Sequence, residues 1–300
     1  MRFKGLDLNL LVALDALLIE RNVSAAGRRV FLSQPAMSAA LARLRLHFED
    51  ELLVPIGRRM ALTDFANSIA EPIHDLMLQI EATVGLGSRF DPETSQRTFT
   101  VALSDFVTEV IMTRVVAKVA ELAPGVVLEI IPPRGGMAGE AIEDGETDLL
   151  IMAAPYVSSE HPAELLYQEE HVVVGWRGNN RLSNPLSADT FFDLGHVVVR
   201  FGRNRQPTFA EAQINRGERS RRVELVAPSF TAIPKLLVGT NRIAVMHRRL
   251  GEASAEMLPL VVLPLPFALP RLDVMIQHHT AKTGDGGIQW LKQIIHDCST

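Results

Sequence analysis

The sequence predicts an α/β protein that carries a small all-α domain at its front and a long helix behind it. Three observations carry this. Apolar residues recur at helical spacing through residues 7–48. A second helical stripe, Ile69, Ile73, Leu76, Ile80 and Val84, then steps by 4, 3, 4 and 4 without a turn signal. From residue 98 onward, short apolar or β-branched runs alternate with helical patterns, the order that builds parallel sheets with right-handed crossovers.

Bulk properties bound the function. A chain of 300 residues has room for two or three domains. It is 47% hydrophobic and 22% charged, as expected of a protein with ordinary cores. It lacks an apolar run of the roughly 18 residues a membrane span requires, and its charged start at Arg2, Lys4 and Asp7 lacks the apolar block of an export signal. A cytoplasmic protein with no membrane partner is expected. The single cysteine, Cys298, leaves no internal disulfide and no multi-cysteine metal site. Net charge is −5, yet residues 1–62 hold nine Lys/Arg against six Asp/Glu, or +3, leaving −8 for the remainder. A basic head on an acidic body places the footprint for a polyanion at one end.

Residues 7–20 predict a first helix with Leu10, Leu11, Leu14, Leu17 and Leu18 buried. Residues 22–30 predict a short helix capped by Ser24, and residues 31–33 a tight turn. Ser33 caps the next helix, with Pro35 in its first turn, where a missing N–H does no harm. Met37, Ala40, Leu41, Leu44 and Phe48 form its apolar back, and Gln34, Ser38, Arg43 and Arg45 lie off it. Alone, this is an amphipathic helix with a solvated side. Behind a short helix and a tight turn it becomes a helix-turn-helix, whose second helix enters the DNA major groove. Small residues at Ser38, Ala39 and Ala42 let the backbone approach the base edges. Gln34 is expected to read a base, because an amide bonds adenine at two points. Ser38 and Arg43 are expected on bases or phosphates, and Arg45 on the DNA backbone; Ser24, Ser33 and Pro35 complete the expected DNA-binding set. Two short strands at 52–54 and 60–62 then flank Gly57-Arg58-Arg59. They form a wing from which Arg58 or Arg59 reaches phosphate or the minor groove, or else a solvated basic hairpin.

This winged helix-turn-helix domain occupies residues 1–63 and a linker occupies 64–91. Thr63 caps its helix, whose stripe fits a dimer seam; the alternative is a helix packed on its own domain. Pro72 predicts a kink or a shortened seam. Residues 92–300 follow. A first βαβαβ unit has strands at 98–103, 126–131 and 148–153 and helices at 108–122 and 138–144. A second has strands at 171–176, 197–201, 223–226 and 243–246 and helices at 188–194, 208–216 and 231–239. The chain returns through 260–266 and 272–277 to a last helix at 288–296.

Leu6-Asp7-Leu8-Asn9-Leu10-Leu11, Ser24-Ala25-Ala26-Gly27 and Ser33-Gln34-Pro35-Ala36-Met37-Ser38 together resemble the start of the LysR-type transcriptional regulators. Residues 1–11 and Leu103-Ser104-Asp105-Phe106 are similar to the nodulation-regulator branch, beside the NahR-like regulators of aromatic degradation. The resemblance implies a linker helix that pairs two subunits. It also implies two α/β subdomains like a type 2 periplasmic binding protein, one at about 92–166 and 270–300, the other at about 167–269. Between them it implies a cleft for a small-molecule inducer, aromatic or flavonoid-like.

In open α/β sheets, ligands collect at the carboxyl ends of strands. Those ends carry Ser104 and Asp105, Pro132 to Arg134, Phe201, Gln206, and Ser229 with Phe230. The resemblance implies an effector lining of Ser104, Arg134, Glu169, Gln206, Phe230 and Gln277; each has an alternative as an ordinary loop or cap residue. Asp105 and Phe201 join from the strand ends, with Asp105 reading more as a helix cap. Arg134 can pair with an anion. Related regulators of aromatic acids carry histidine at the places of Glu169 and Gln206, which counts here against a small aromatic acid.

The expected function is a DNA-binding regulator, activator or repressor, acting on a partly palindromic operator as a homodimer or homotetramer, with RNA polymerase as a further partner. No catalytic residue, metal site or cofactor is expected. Gly-x-Ser-x-Gly, a phosphate loop and His-Glu-x-x-His are all missing, and His278-His279 has no clear ligand set. The alternative is a solute-binding protein or enzyme using the α/β half, with N-terminal helices that serve only dimerisation.

Overall fold

The computed structural model describes residues 2–3, 6–57, 59–85, 90–133, 142, 147–202, 205–217 and 219–299. The chain forms two compact units, one built on Met1–Arg89 and the other on the remainder, a few short segments aside.

In the first unit, helices Asn9–Glu20, Val23–Arg29 and Gln34–Phe48 close around Leu14, Leu17, Met37, Leu44, Leu52 and Leu53, all buried. The apolar period predicted this trio. The cap differs: Asn22, not Ser24, starts the short helix, its side chain accepting the Ala25 N–H at 2.9 Å. Asparagine caps as well as serine, so the helix begins two residues earlier and Ser24 falls inside it. The turn demands two special backbones. Phe31 sits at φ 56°, and a Cβ on Gly27 would meet the Leu32 carbonyl oxygen at 2.8 Å. Strands Leu53–Ile56 and Arg59–Leu62 pair antiparallel as the expected wing.

Thr63 starts helix Asp64–Gly85, its hydroxyl accepting the Ala66 N–H at 3.0 Å and donating to Asp50 Oδ1 at 2.7 Å. The stripe on this helix is not one seam. Ile69 and Ile73 pack against the core of their own unit, and Met77 is buried in it. Leu76 and Ile80 stay 40% and 41% exposed. The side chain of Val84 lies outside the described residues.

The second unit holds two sheets. In the first, the strand order is Val127–Ile131, Thr98–Leu103, Leu149–Ala153, Leu272–Gln277, Ala163–Glu169. The first three run parallel, and Leu272–Gln277 runs antiparallel to both its neighbours. The second sheet runs Gln206–Pro207, Gly195–Phe201, Ile243–His247, His171–Trp176, Leu260–Leu263, with Arg222–Ala227 paired beside Gly195–Phe201. The chain crosses between sheets at Glu170 and returns after Leu263. Ala163–Glu169 was not expected as a strand, and it moves the crossing a few residues beyond 166. A register shift opposite Val274 and Met275 breaks its alternation, so the period-two signal is lost. The helix expected at 108–122 is present, interrupted by a wide π turn at Thr108–Met112. Helix Arg248–Met257 was also unforeseen; its Gly251 lies so close to Val174 that a Cβ would come within 3.0 Å. The helix expected at 231–239 shortens to Ile233–Leu237. The one expected at 138–144 lies outside the described residues except for Ile142, which is helical.

Candidate DNA-binding face and effector cavity

The front of helix Gln34–Phe48 is solvent-facing. Gln34, Ser38, Ala39, Ala42 and Arg43 are exposed, while Met37 and Leu44 behind them are fully buried. Ser33 Oγ accepts the Ala36 N–H at 3.4 Å, and Pro35 occupies the first turn. Gln34, Ser38 and Ala42 follow one another at four-residue steps, a single row along the exposed arc. Arg43 lies roughly half a turn around from Gln34 at 3.6 residues per turn, on the other flank.

The arginines divide by task. Arg43 Nη2 sits 3.1 Å from Asp7 Oδ2 with its side chain 53% exposed, tethered yet open to a second anion. The bond from Arg43 and the Asn9 N–H hold the Asp7 carboxyl below the usual range. Arg45 turns inward. Its Nε donates to the Glu51 carbonyl and its Nη2 to the Leu53 carbonyl, both at 2.8 Å, and the Glu51 carboxylate adds an ion pair at 3.1 Å. Arg45 therefore ties the helix to the wing, and the expected grip on the DNA backbone does not fit its geometry. Arg59 is exposed beside the wing turn, and Arg58 lies outside the described residues. Ser24 is half-buried inside the short helix, away from the cap that would have offered its hydroxyl.

The second unit encloses a cavity of about 380 Å³ where strand ends from both sheets converge. Of the expected residues, Ser104, Asp105, Phe201, Gln206 and Phe230 line it. Asp105 does not act as a cap. Its Oδ2 accepts the Thr231 N–H at 2.7 Å and the Thr231 hydroxyl at 2.8 Å, linking the first subdomain to the second. The cap is Ser104, whose hydroxyl accepts the Val107 N–H at 3.4 Å.

Glu169 and Gln277 do not line the cavity. Glu169 is buried; its Oε1 accepts the Glu170 and Arg249 N–H groups at 3.1 and 3.4 Å, and burial pushes its pKa up. Gln277 is fully buried, donating to the Ser158 and His161 carbonyls at 2.7 and 3.0 Å and accepting the Ser158 N–H at 3.0 Å. For Gln277 the reason is direction. Leu272–Gln277 runs against the parallel strands, so its start, Leu272 and Val274, meets the cavity and its end points away. Arg134 lies outside the described residues.

Sequence reasoning missed two histidines. His171 and His247 face each other across antiparallel strands and both line the cavity. Their ring centroids are 5.2 Å apart. His247 stacks on Phe106 at 3.7 Å and 7° and meets Phe230 edge-on at 4.7 Å, while His171 lies against Phe209 at 6.0 Å. Burial pushes His171 down to about 4 and holds His247 well below the usual imidazole range. The strand-end rule would have found His247 had the strand been carried one residue past Met246.

Comparison with known proteins agrees along the whole chain. The family model described as a bacterial regulatory helix-turn-helix protein, lysR family, matches residues 8–67, and the LysR substrate binding domain matches residues 92–298. The chain is 41% identical over 295 residues to nodulation protein D 1 of Rhizobium tropici, covering 98% of this chain and 96% of that one. It is 41% identical over 297 residues to nodulation protein D 3 of Rhizobium meliloti, covering 99% and 95%. Among solved structures, a full-length OxyR variant from Pseudomonas aeruginosa superposes with a TM-score of 0.77 over 99% of this chain and 97% of that one, at 16% identity, which speaks to fold alone. A probable transcriptional regulator from the same organism does so at 0.67 and 26% identity, over 98% and 97%.

Proposed function

Because the chain belongs to the LysR family of DNA-binding transcriptional regulators, we propose that it reads a partly palindromic operator through helix Gln34–Phe48 and answers to an aromatic or flavonoid-like inducer held in the cavity of its second unit. One observation carries this reading: the same chain presents an exposed helix with an amide at its N-terminal turn and encloses a cavity walled by aromatic rings. A homodimer or homotetramer supplies paired helices for paired half-sites. An inducer that fits one spacing of the two subdomains better than another shifts the population toward it, and the DNA sites register the shift. RNA polymerase is the partner that would read the rearranged assembly, and the cytoplasm is its place. We read the task as sensing rather than catalysis because both matching family models describe regulators.

Two measurements test the DNA side. Gln34→Ala is expected to weaken operator binding by about 1–3 kcal/mol while leaving affinity for random duplex nearly unchanged. Equal loss on both would remove Gln34 from base reading. Arg59→Ala is expected to lower the slope of log affinity against log salt by about 0.9 if the side chain meets one phosphate. An unchanged slope would leave Arg59 a solvated wing residue. The operator itself is found by selecting bound fragments from genomic DNA, and a chain that prefers no duplex sequence would overturn the whole assignment.

A further inference from the structure

The cavity wall contains an unusual pair of polar groups. His171 and His247 lie side by side across two strands, and each keeps a buried Nδ1 that bonds to nothing among the described residues. A buried polar nitrogen left alone is costly, so such groups ordinarily have a partner. Neither ring is charged near neutral pH, since burial disfavours the imidazolium form of both. A neutral imidazole offers one donor and one acceptor. A half-turn of either ring leaves its outline unchanged and exchanges nitrogen with carbon positions, so either nitrogen can be turned to a ligand. Around them stand flat apolar surfaces: Phe106 stacked on His247, Phe230 against its edge, and Phe209 beside His171.

Resting on the reading of this cavity as the inducer site, we propose that His171 and His247 form a clamp for a hydroxyl group on a flat aromatic ligand, so that the protein selects a phenol over its unhydroxylated parent. A hydroxyl both gives and accepts a hydrogen bond and matches a neutral imidazole in either tautomer. A carboxylate only accepts, so it cannot satisfy an imidazole acceptor. The volume of about 380 Å³ is at the small end for ligand cavities and suits a ligand of two or three rings.

The test uses the full chain and two probes, 5,7-dihydroxyflavone and unsubstituted flavone, with affinities from calorimetry. The unmodified protein is expected to favour the dihydroxy compound by about tenfold or more. His171→Phe is expected to erase most of that preference while retaining flavone binding, and His171→Asn, which keeps a polar edge, to restore part of it. Ala153→Trp, which fills the cavity from its wall, is expected to abolish binding of both probes. Equal affinity for the two flavones, or a preference that survives both His171→Phe and His247→Leu, overturns the clamp but leaves the cavity as the inducer site. Binding untouched by Ala153→Trp, or no binding of either flavone, overturns the cavity reading together with the clamp.

Discussion

Replacing Leu44 by alanine is expected to destabilise the first unit by about 2–5 kcal/mol, the range for emptying a fully buried leucine site. The side chain sits behind Gln34 and Arg43 in a core that also receives Leu14 and Leu17 of the first helix and Leu52 and Leu53 at the wing. That loss is a large share of the stability of a small unit. The chain allows a clean measurement. Its tryptophans, Trp176 and Trp290, and its tyrosines, Tyr156 and Tyr167, all lie beyond the first unit. Tryptophan fluorescence therefore follows the second unit alone, while far-ultraviolet circular dichroism follows both. Leu44→Ala should move the dichroism transition to lower denaturant, leave the fluorescence transition in place, and abolish operator binding while sparing ligand binding. A fluorescence transition that moves as far as the dichroism would mean that the two units share one cooperative core, contrary to this expectation.

The difference between what was legible in the sequence and what was not follows from the range of the interactions. The helix-turn-helix is written locally: the spacing of Met37, Ala40, Leu41 and Leu44, the Ser33 cap and Pro35 in the first turn decide it within a few turns of chain. Even the error at Ser24 is local, a choice between neighbouring side chains that can each cap a helix. The linker stripe was legible as a stripe but not by its target. Ile69 and Ile73 satisfy the same period whether they meet a second subunit or, as they do, the core of their own unit. Strand ends gave Ser104, Phe201, Gln206 and Phe230 because parallel strands all deliver their carboxyl ends to one edge of a sheet. Gln277, which only the resemblance implied, misses the cavity because its strand is reversed, a fact of topology that no window around residue 277 contains. His171 and His247 become neighbours only through the pairing of their strands, and each read alone is an ordinary histidine in an apolar run.

The link between Asp105 and Thr231 joins the two subdomains beside the cavity. One carboxylate oxygen takes both the N–H and the hydroxyl of Thr231, at 2.7 and 2.8 Å. Hydrogen bonds to a charged acceptor are worth about 1.5–3 kcal/mol each, so the pair holds the two subdomains together by an amount comparable to an inducer's preference for one spacing. Asp105→Ala removes both and leaves the Thr231 N–H without its acceptor. The subdomains then sample wider separations, and a ligand that needs both walls must first draw them together. We expect affinity for 5,7-dihydroxyflavone to fall by tenfold or more, at about 1.4 kcal/mol per factor of ten, with a parallel drop in the fluorescence-detected transition. Asp105→Asn keeps a carbonyl oxygen in the same place and should recover most of the stability and part of the affinity. Tighter binding in the alanine variant would reverse the argument: the link would then hold the subdomains at a spacing that the ligand has to break. Affinity and stability both unchanged would show that Phe106, Phe230 and His247, packed across the same seam, hold the spacing without it.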